Sequence, residues 1–340
     1  MNTLKTPALL VCLLACTAAV AAVDKGEWTL SQSDDPSKVR LFLHSERDGD
    51  HSFSSSSDWN SADLKGLDWG TAGKHDVHFN IARDAGNIDA EGFLKDGSGA
   101  GLFTFRGNAQ YITQMSSLGF PGVTDDDLFA FTLHDVSLDF VRGIQAEHVN
   151  GLDNHKLMAF RIHGVTPAFI RDIHAAGVSE NEADKLIAFR IHGVSAEFVK
   201  SLAAAGIGTT SSDKLIAFRI HGVSPEFVHD IHAAGIQNVD SEKLIAFRIH
   251  GVSPEFVKSL SAAGIGTVDP ERLVAFRIHG VSPEFVSELN RLGFSHPDPE
   301  KLIACRIHGV TPEYIEKLRG RGMQNLTLDQ LINLRIHGID

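Results

Sequence analysis

Cysteine, tyrosine and basic charge are all scarce in this 340-residue sequence. It has 3 Cys, 2 Tyr and 31 Lys plus Arg against 43 Asp plus Glu, for a formal net charge of −12. Cys12 and Cys16 both fall in the first 21 residues, so only Cys305 remains beyond them and no internal disulfide can form there. A chain of this kind must rest on its own core. The shortage of basic charge argues against binding a phosphate backbone, which needs Lys and Arg in excess. It equally disfavours an anionic membrane surface. Long apolar runs are missing too. The one uncharged stretch, Ala8 to Val20, is shorter than the roughly 20 residues a bilayer span needs. No HExxH zinc-protease motif, Ser-His-Asp order, paired-carboxylate spacing or dinucleotide fingerprint is present. No cofactor is therefore implied.

What is there is ordinary in bulk and odd in detail. Hydrophobic residues at 43% and charged residues at 22% suit a globular protein and exclude a disordered or collagen-like chain. Length suggests about two domains. The oddities are 18 His and 21 Phe.

The N-terminus has the grammar of an export signal. Lys5 supplies the positive region, Ala8 to Val20 the apolar region, and Ala19-Val20-Ala21 an A-x-A cleavage site before Asp24 and Lys25. Residues 1–21 are expected to be removed, leaving a periplasmic or secreted protein. The alternative is a lipoprotein with its anchor at Cys16, although Leu13-Leu14-Ala15 fits a lipobox poorly.

A repeat with an unbroken 29-residue period fills the C-terminal two thirds. Arg-Ile-His-Gly starts at Arg161, Arg190, Arg219, Arg248, Arg277, Arg306 and Arg335. Its histidines are His163, His192, His221, His250, His279, His308 and His337, with His134 one step earlier in a degenerate copy. Such self-similarity marks a repeat architecture. In one unit, Lys243 to His250 is apolar around most of its circumference and predicts a buried core helix. Gly251 then suits a left-handed cap. Ser253 is a good N-cap and Pro254 fits the first helical position of a second helix. Phe256, Val257, Leu260 and Ala263 lie on one face of that amphipathic helix, which Gly264 ends. The aromatic column begins at Tyr111 and runs through Phe140, so eight amphipathic and eight core helices are expected to alternate from residue 108 onward. Asn333 replaces the Ala of every earlier core helix, as a polar outer face would require.

Residues 24–107 carry alternating runs, such as Lys38 to His44 and His75 to Ile81. Turn signals stand at Asp48-Gly49-Asp50, Asp84-Ala85-Gly86 and Lys95 to Gly99. Five or six antiparallel strands are expected, with Ser61 to Leu67 as a loop or short helical turn. The predicted fold is α+β: a signal (1–21), a small antiparallel β domain (22–107) and an α-solenoid of short helical pairs (108–340) in eight 29-residue units.

With Arg83-Asp84-Ala85-Gly86, Asp96-Gly97-Ser98-Gly99 and the Arg-Ile-His-Gly-Val-Thr/Ser-Pro-Glu-Phe units in view, the sequence resembles a group of exported bacterial proteins, mostly uncharacterised. They carry a small β domain followed by helical repeats. Similar repeats occur in extracytoplasmic parts of membrane-embedded sensor metallopeptidases. The resemblance implies architecture and an exported role. It brings no catalytic residue with it.

Several residue sets invite a chemical reading. The His column could bind metal or sense pH, but each imidazole sits in the last turn of its helix, where its charged form suits the negative helix end. Copies of one position also point in similar directions and form no tetrahedral cluster. The Arg column could grip an acidic partner. The structural expectation is an Arg–carboxylate ladder between units with Glu197, Glu226, Glu255, Glu284 and Glu313. Cys305 stands in a Phe column and reads as a small buried residue. Asp96 to Gly101 reads as a hairpin turn rather than a phosphate loop. Asp48 and Asp50 lack the rest of a calcium loop, and Asp125 to Asp127 suit a helix start. Ala205-Gly206-Ile207-Gly208 and Ala263-Gly264-Ile265-Gly266 resemble DNA-binding helix-hairpin-helix turns, which acidity and export oppose.

The expected function is an exported, non-catalytic scaffold that binds a protein or peptide in the cell envelope. The most varied segment, between the amphipathic and core helices, is the expected binding rim. Other classes are an envelope ligand or metal sensor using the His and Arg columns, and a hydrolase with an unrecognised site.

Overall fold

The structure is a computed structural model that describes residues 23–46, 52–208, 211–237, 239–266 and 268–339. The expected signal, the anchor at Cys16 and the turn at Asp48 to Asp50 lie outside the described residues. The chain divides into two compact units: residues up to Ala146 with Leu152–Ile162, and Glu147–Gly151 with His163 onward.

The first unit opens with six strands: β1 (Val23–Gln32), β2 (Lys38–Glu46), β3 (Ser52–Asn60), β4 (His75–Arg83), β5 (Gly86–Lys95) and β6 (Ser98–Gly107). They form one antiparallel sheet in the order β3-β2-β1-β6-β5-β4, so the first and last strands meet at its centre. A single 3-10 turn, Ser61–Asp63, falls in the stretch expected to be a loop or turn. Just beyond it, Lys65 and Asn80 exchange backbone hydrogen bonds (3.0 and 2.9 Å) along the free edge of β4.

Period-two alternation puts Trp28, Leu30, Val39, Leu41, Phe79, Ile81, Phe103 and Phe105 on the buried face. Trp28 shows why two glycines face it. A Cβ on Gly92 or Gly101 would lie 2.6 or 2.7 Å from the indole. With only hydrogens there, the indole fits against both glycines and its Nε1 donates to the Glu91 carbonyl at 3.0 Å. The core helix Asp125–His134 packs on this face through Phe129, whose ring meets Phe53, Phe103 and Phe105 at 4.7–5.9 Å. Its start follows the sequence: Thr124 and Asp127 form a capping box.

Among the described residues, sixteen helices of nine or ten residues alternate as amphipathic and core helices, from Ala109–Ser117 to Leu328–Ile336. None would be stable alone. Each unit is punctuated as its sequence dictates. At Ser253, the hydroxyl accepts from the Phe256 N–H at 3.1 Å and Pro254 takes the first helical position. Core helices end on left-handed glycines such as Gly251 (φ 73°). In the second unit the Leu and Phe columns (Leu215, Phe218, Leu244, Phe247, Leu273, Phe276) are fully or almost fully buried and build one continuous core. Cys305 is buried in the same column. Asn333 is exposed, whereas the alanines of the earlier repeats are half-buried.

One expectation needs correction. The core helices are not buried all round. Their Ile column, from Ile191 to Ile336, is 52–56% exposed. A helix of ten residues buries Leu215 and Phe218 on one face. Ile216 and Ile220, four residues apart, share another face, of which Ile216 is half-buried.

Candidate interaction surface

The repeat columns sort themselves by contact. The Arg column forms no ladder with Glu197, Glu226, Glu255, Glu284 and Glu313. Nε of Arg190, Arg219, Arg248 and Arg277 instead donates to the carbonyl of His163, His192, His221 and His250, one repeat back, at 3.1–3.3 Å. The same guanidiniums lie 4.8–5.0 Å over Phe169, Phe198, Phe227 and Phe256. Arg306 lies over Phe285 at 5.1 Å, and Arg335 lies over Tyr314 and donates to the Gly309 carbonyl. In the first unit Arg161 does the same with the His134 carbonyl and Phe140, and adds an ion pair with Asp135 at 2.8 Å. The carbonyls used are those that a helix leaves without intrahelical partners at its C-terminus. Each arginine is thus a staple between consecutive repeats, and the aromatic column is its seat.

The glutamates have a different task. Hydrogen bonds from their own N-cap hydroxyls hold Glu226, Glu284 and Glu313 below the usual carboxylate range. The ladder between repeats runs elsewhere: Lys185–Asp213, Lys214–Glu242, Lys243–Glu271, Arg272–Glu300 and Lys301–Asp329, each 28 residues apart. These pairs are exposed and screened by salt, so they set register more than stability.

The His column stands at the surface, one imidazole per repeat from His163 to His337. It is the backbone carbonyl of these residues that the structure uses. Among the described residues no group of three or more His, Cys, Asp or Glu comes together as a metal site. His134 differs from the rest. Burial, aided by Arg161, pushes its imidazole below the ordinary value.

The degenerate first copy makes a distinct corner in the first unit. Asp135 takes the left-handed cap (φ 54°) where later copies have Gly. Its carboxylate faces both Arg161 and Arg83, the latter at 3.5 Å. Asp84 accepts from the Leu138 N–H at 2.9 Å. The Arg83-Asp84 motif therefore ties the sheet to the first helices.

Beside the exposed imidazoles stands an apolar column. Ile191, Ile220, Ile249, Ile278, Ile307 and Ile336 recur at one repeat position, each more than half exposed. Repeat position alone does not require a large apolar side chain in water. The column was legible in the sequence as the second apolar face of each core helix, but was absorbed there into a buried circumference. The expected rim between the helices is described except for Thr209, Thr210, Asn238 and Thr267. Two small cavities open along it, beside Ala203 and beside Ser261.

No protein-family model matches the chain, and no curated protein matches it. Among the described residues no helix is long and apolar enough to cross a membrane.

Proposed function

We propose that the protein is an exported, non-catalytic scaffold that binds a polypeptide partner in the cell envelope through its repeats. The observation that carries this reading is the exposed isoleucine column. Single exposed apolar residues are normal on any surface, but a contiguous apolar stripe marks an interaction site. In the second unit six isoleucines at one repeat position, spaced by stacked helices roughly 8–10 Å apart, form such a stripe. An extended or helical polypeptide with apolar side chains suits a stripe of that kind, because repeat arrays offer elongated surfaces. The staples leave the arginines engaged within the array, whereas the isoleucines stand free to contact a partner.

The test compares affinity capture by the native exported protein with capture by a variant carrying Ile220→Ser, Ile249→Ser and Ile278→Ser. All three side chains are exposed, so helicity and the urea midpoint are expected to hold. Retention of one polypeptide by the native protein, reduced at least about tenfold in the variant, is expected if even one isoleucine is buried on binding. Equal capture by both proteins contradicts the reading.

A further inference from the structure

The rim between the helices holds a second, chemically different feature, in the column at the last turn of each amphipathic helix. Gln145, Asn290 and Arg319 each reach back and donate to a carbonyl 27 residues earlier, at Leu118, Ala263 and Leu292, all at 2.7 Å. His174 and His232 fill their own positions: His174 bonds the Glu180 carbonyl at 3.0 Å, and the His232 ring packs under Gly206. Beyond Ser116, which has no repeat before it, Ala203 and Ser261 are the short members of the column. Each has a cavity beside it, of about 350 Å³ at Ala203 and about 60 Å³ at Ser261.

The Ala203 cavity is lined by Ala176, Val178, Val199, Leu202, Ile207 and Leu215. Ala176 occupies the repeat position whose carbonyl accepts from Gln145, Asn290 and Arg319 in three other units. Alanine has no donor to offer it. The chain itself therefore shows what completes this position: an apolar stem ending in an N–H donor. Arg319 is the longest example, its guanidinium lying 5.8 Å over Phe294 while Nη2 bonds the Leu292 carbonyl. Val178 takes the place of Phe294 beside Ala203.

We propose that the Ala203 cavity is a binding pocket for an arginine side chain of the partner polypeptide. Its volume lies at the lower end of ligand pockets, enough for one side chain, whereas the Ser261 cavity has room for little more than water. A net charge of −12 attracts a cationic side chain. The proposal rests on the partner being a polypeptide, but it concerns the rim and not the isoleucine stripe.

The experiment titrates the full mature chain with N-acetyl-arginine N-methylamide and follows methyl NMR signals of Val178, Val199 and Ile207. Saturable shifts at these three residues, with one probe bound per chain, are expected. Ala203→Gln, which restores the side chain found at Gln145, and Ala203→Arg should both abolish them. Arg319→Ala should open a second pocket and raise the stoichiometry to two. The norleucine analogue, which keeps the apolar stem and lacks the donor, should bind at least about tenfold more weakly. Absence of saturable shifts, persistence in Ala203→Gln, or equal binding of the norleucine analogue overturns the proposal. The probe is a single capped residue, so failure here leaves capture through the isoleucine stripe to stand or fall on its own test.

Discussion

Replacing Gly222 by Ala tests the arginine staple quantitatively. Gly222 caps a core helix at φ 71°, and a Cβ there would lie 3.0 Å from Nη2 of Arg248. Two costs are therefore combined. The left-handed conformation costs alanine about 1–2 kcal/mol. Displacing Arg248 weakens its hydrogen bond to the His221 carbonyl (3.3 Å) and its seat on Phe227 (4.9 Å). Those losses are about 0.5–1.5 and 0.5–1 kcal/mol. The sum is about 2–4.5 kcal/mol in the native background. With Arg248→Ala already present, only the conformational cost of about 1–2 kcal/mol remains. A double-mutant cycle by urea denaturation should therefore show a coupling of about 1–2.5 kcal/mol between Gly222→Ala and Arg248→Ala. Additivity within about 0.5 kcal/mol would refute the staple, because the two substitutions would then not share an interaction.

Other outcomes follow from the same contacts. Phe247→Ala empties a fully buried site in the continuous core and should cost about 3–5 kcal/mol by urea denaturation; a loss under 1 kcal/mol would mean the column does not carry the stack. Burial and Arg161 hold His134 below the ordinary 6.5, so the unfolded chain takes up a proton at higher pH than the folded one. This stability is complete above about pH 6.5 and is lost as pH falls below it. His134→Asn should flatten that slope in acid titrations of the melting temperature, and an unchanged slope would assign the effect elsewhere. Burial pushes the Cys305 thiol up to about 11, so at pH 8 it should resist a thiol reagent in the native state and react at once in denaturant. Rapid native labelling would show that the site opens.

The sequence was most informative where copying made one physical solution recur. Ser253, Pro254 and Gly251 mark helix ends because an N-cap hydroxyl, a missing N–H and a left-handed backbone each have one natural place. Strand alternation placed the sheet and its turns at Asp84 to Gly86 and Lys95 to Gly99. Side-chain partners between repeats were harder. An Arg column and a Glu column at one period suggest each other, but the period does not say which groups meet. The guanidinium found carbonyls and aromatic rings one repeat back, and Glu226 stayed with its own Ser224 cap. The exposed isoleucine of each Arg-Ile-His-Gly was not legible as such because a short apolar helix leaves no polar face to orient it. The Ala203 pocket was hidden for a different reason. It arises from a short side chain at a varied position, visible only once the reach of Arg319 and Asn290 is known.

The central claim is that the exposed isoleucines meet a polypeptide in the envelope. Photo-crosslinking in intact cells tests it most directly, with a photoreactive amino acid at Ile220, Ile249 or Ile278 and, as a comparison, at exposed Lys258 on an amphipathic helix. One discrete crosslinked polypeptide, shared by the three isoleucine positions and absent at Lys258, is the predicted result. No crosslink at the isoleucines, or the same pattern from Lys258, would contradict the account.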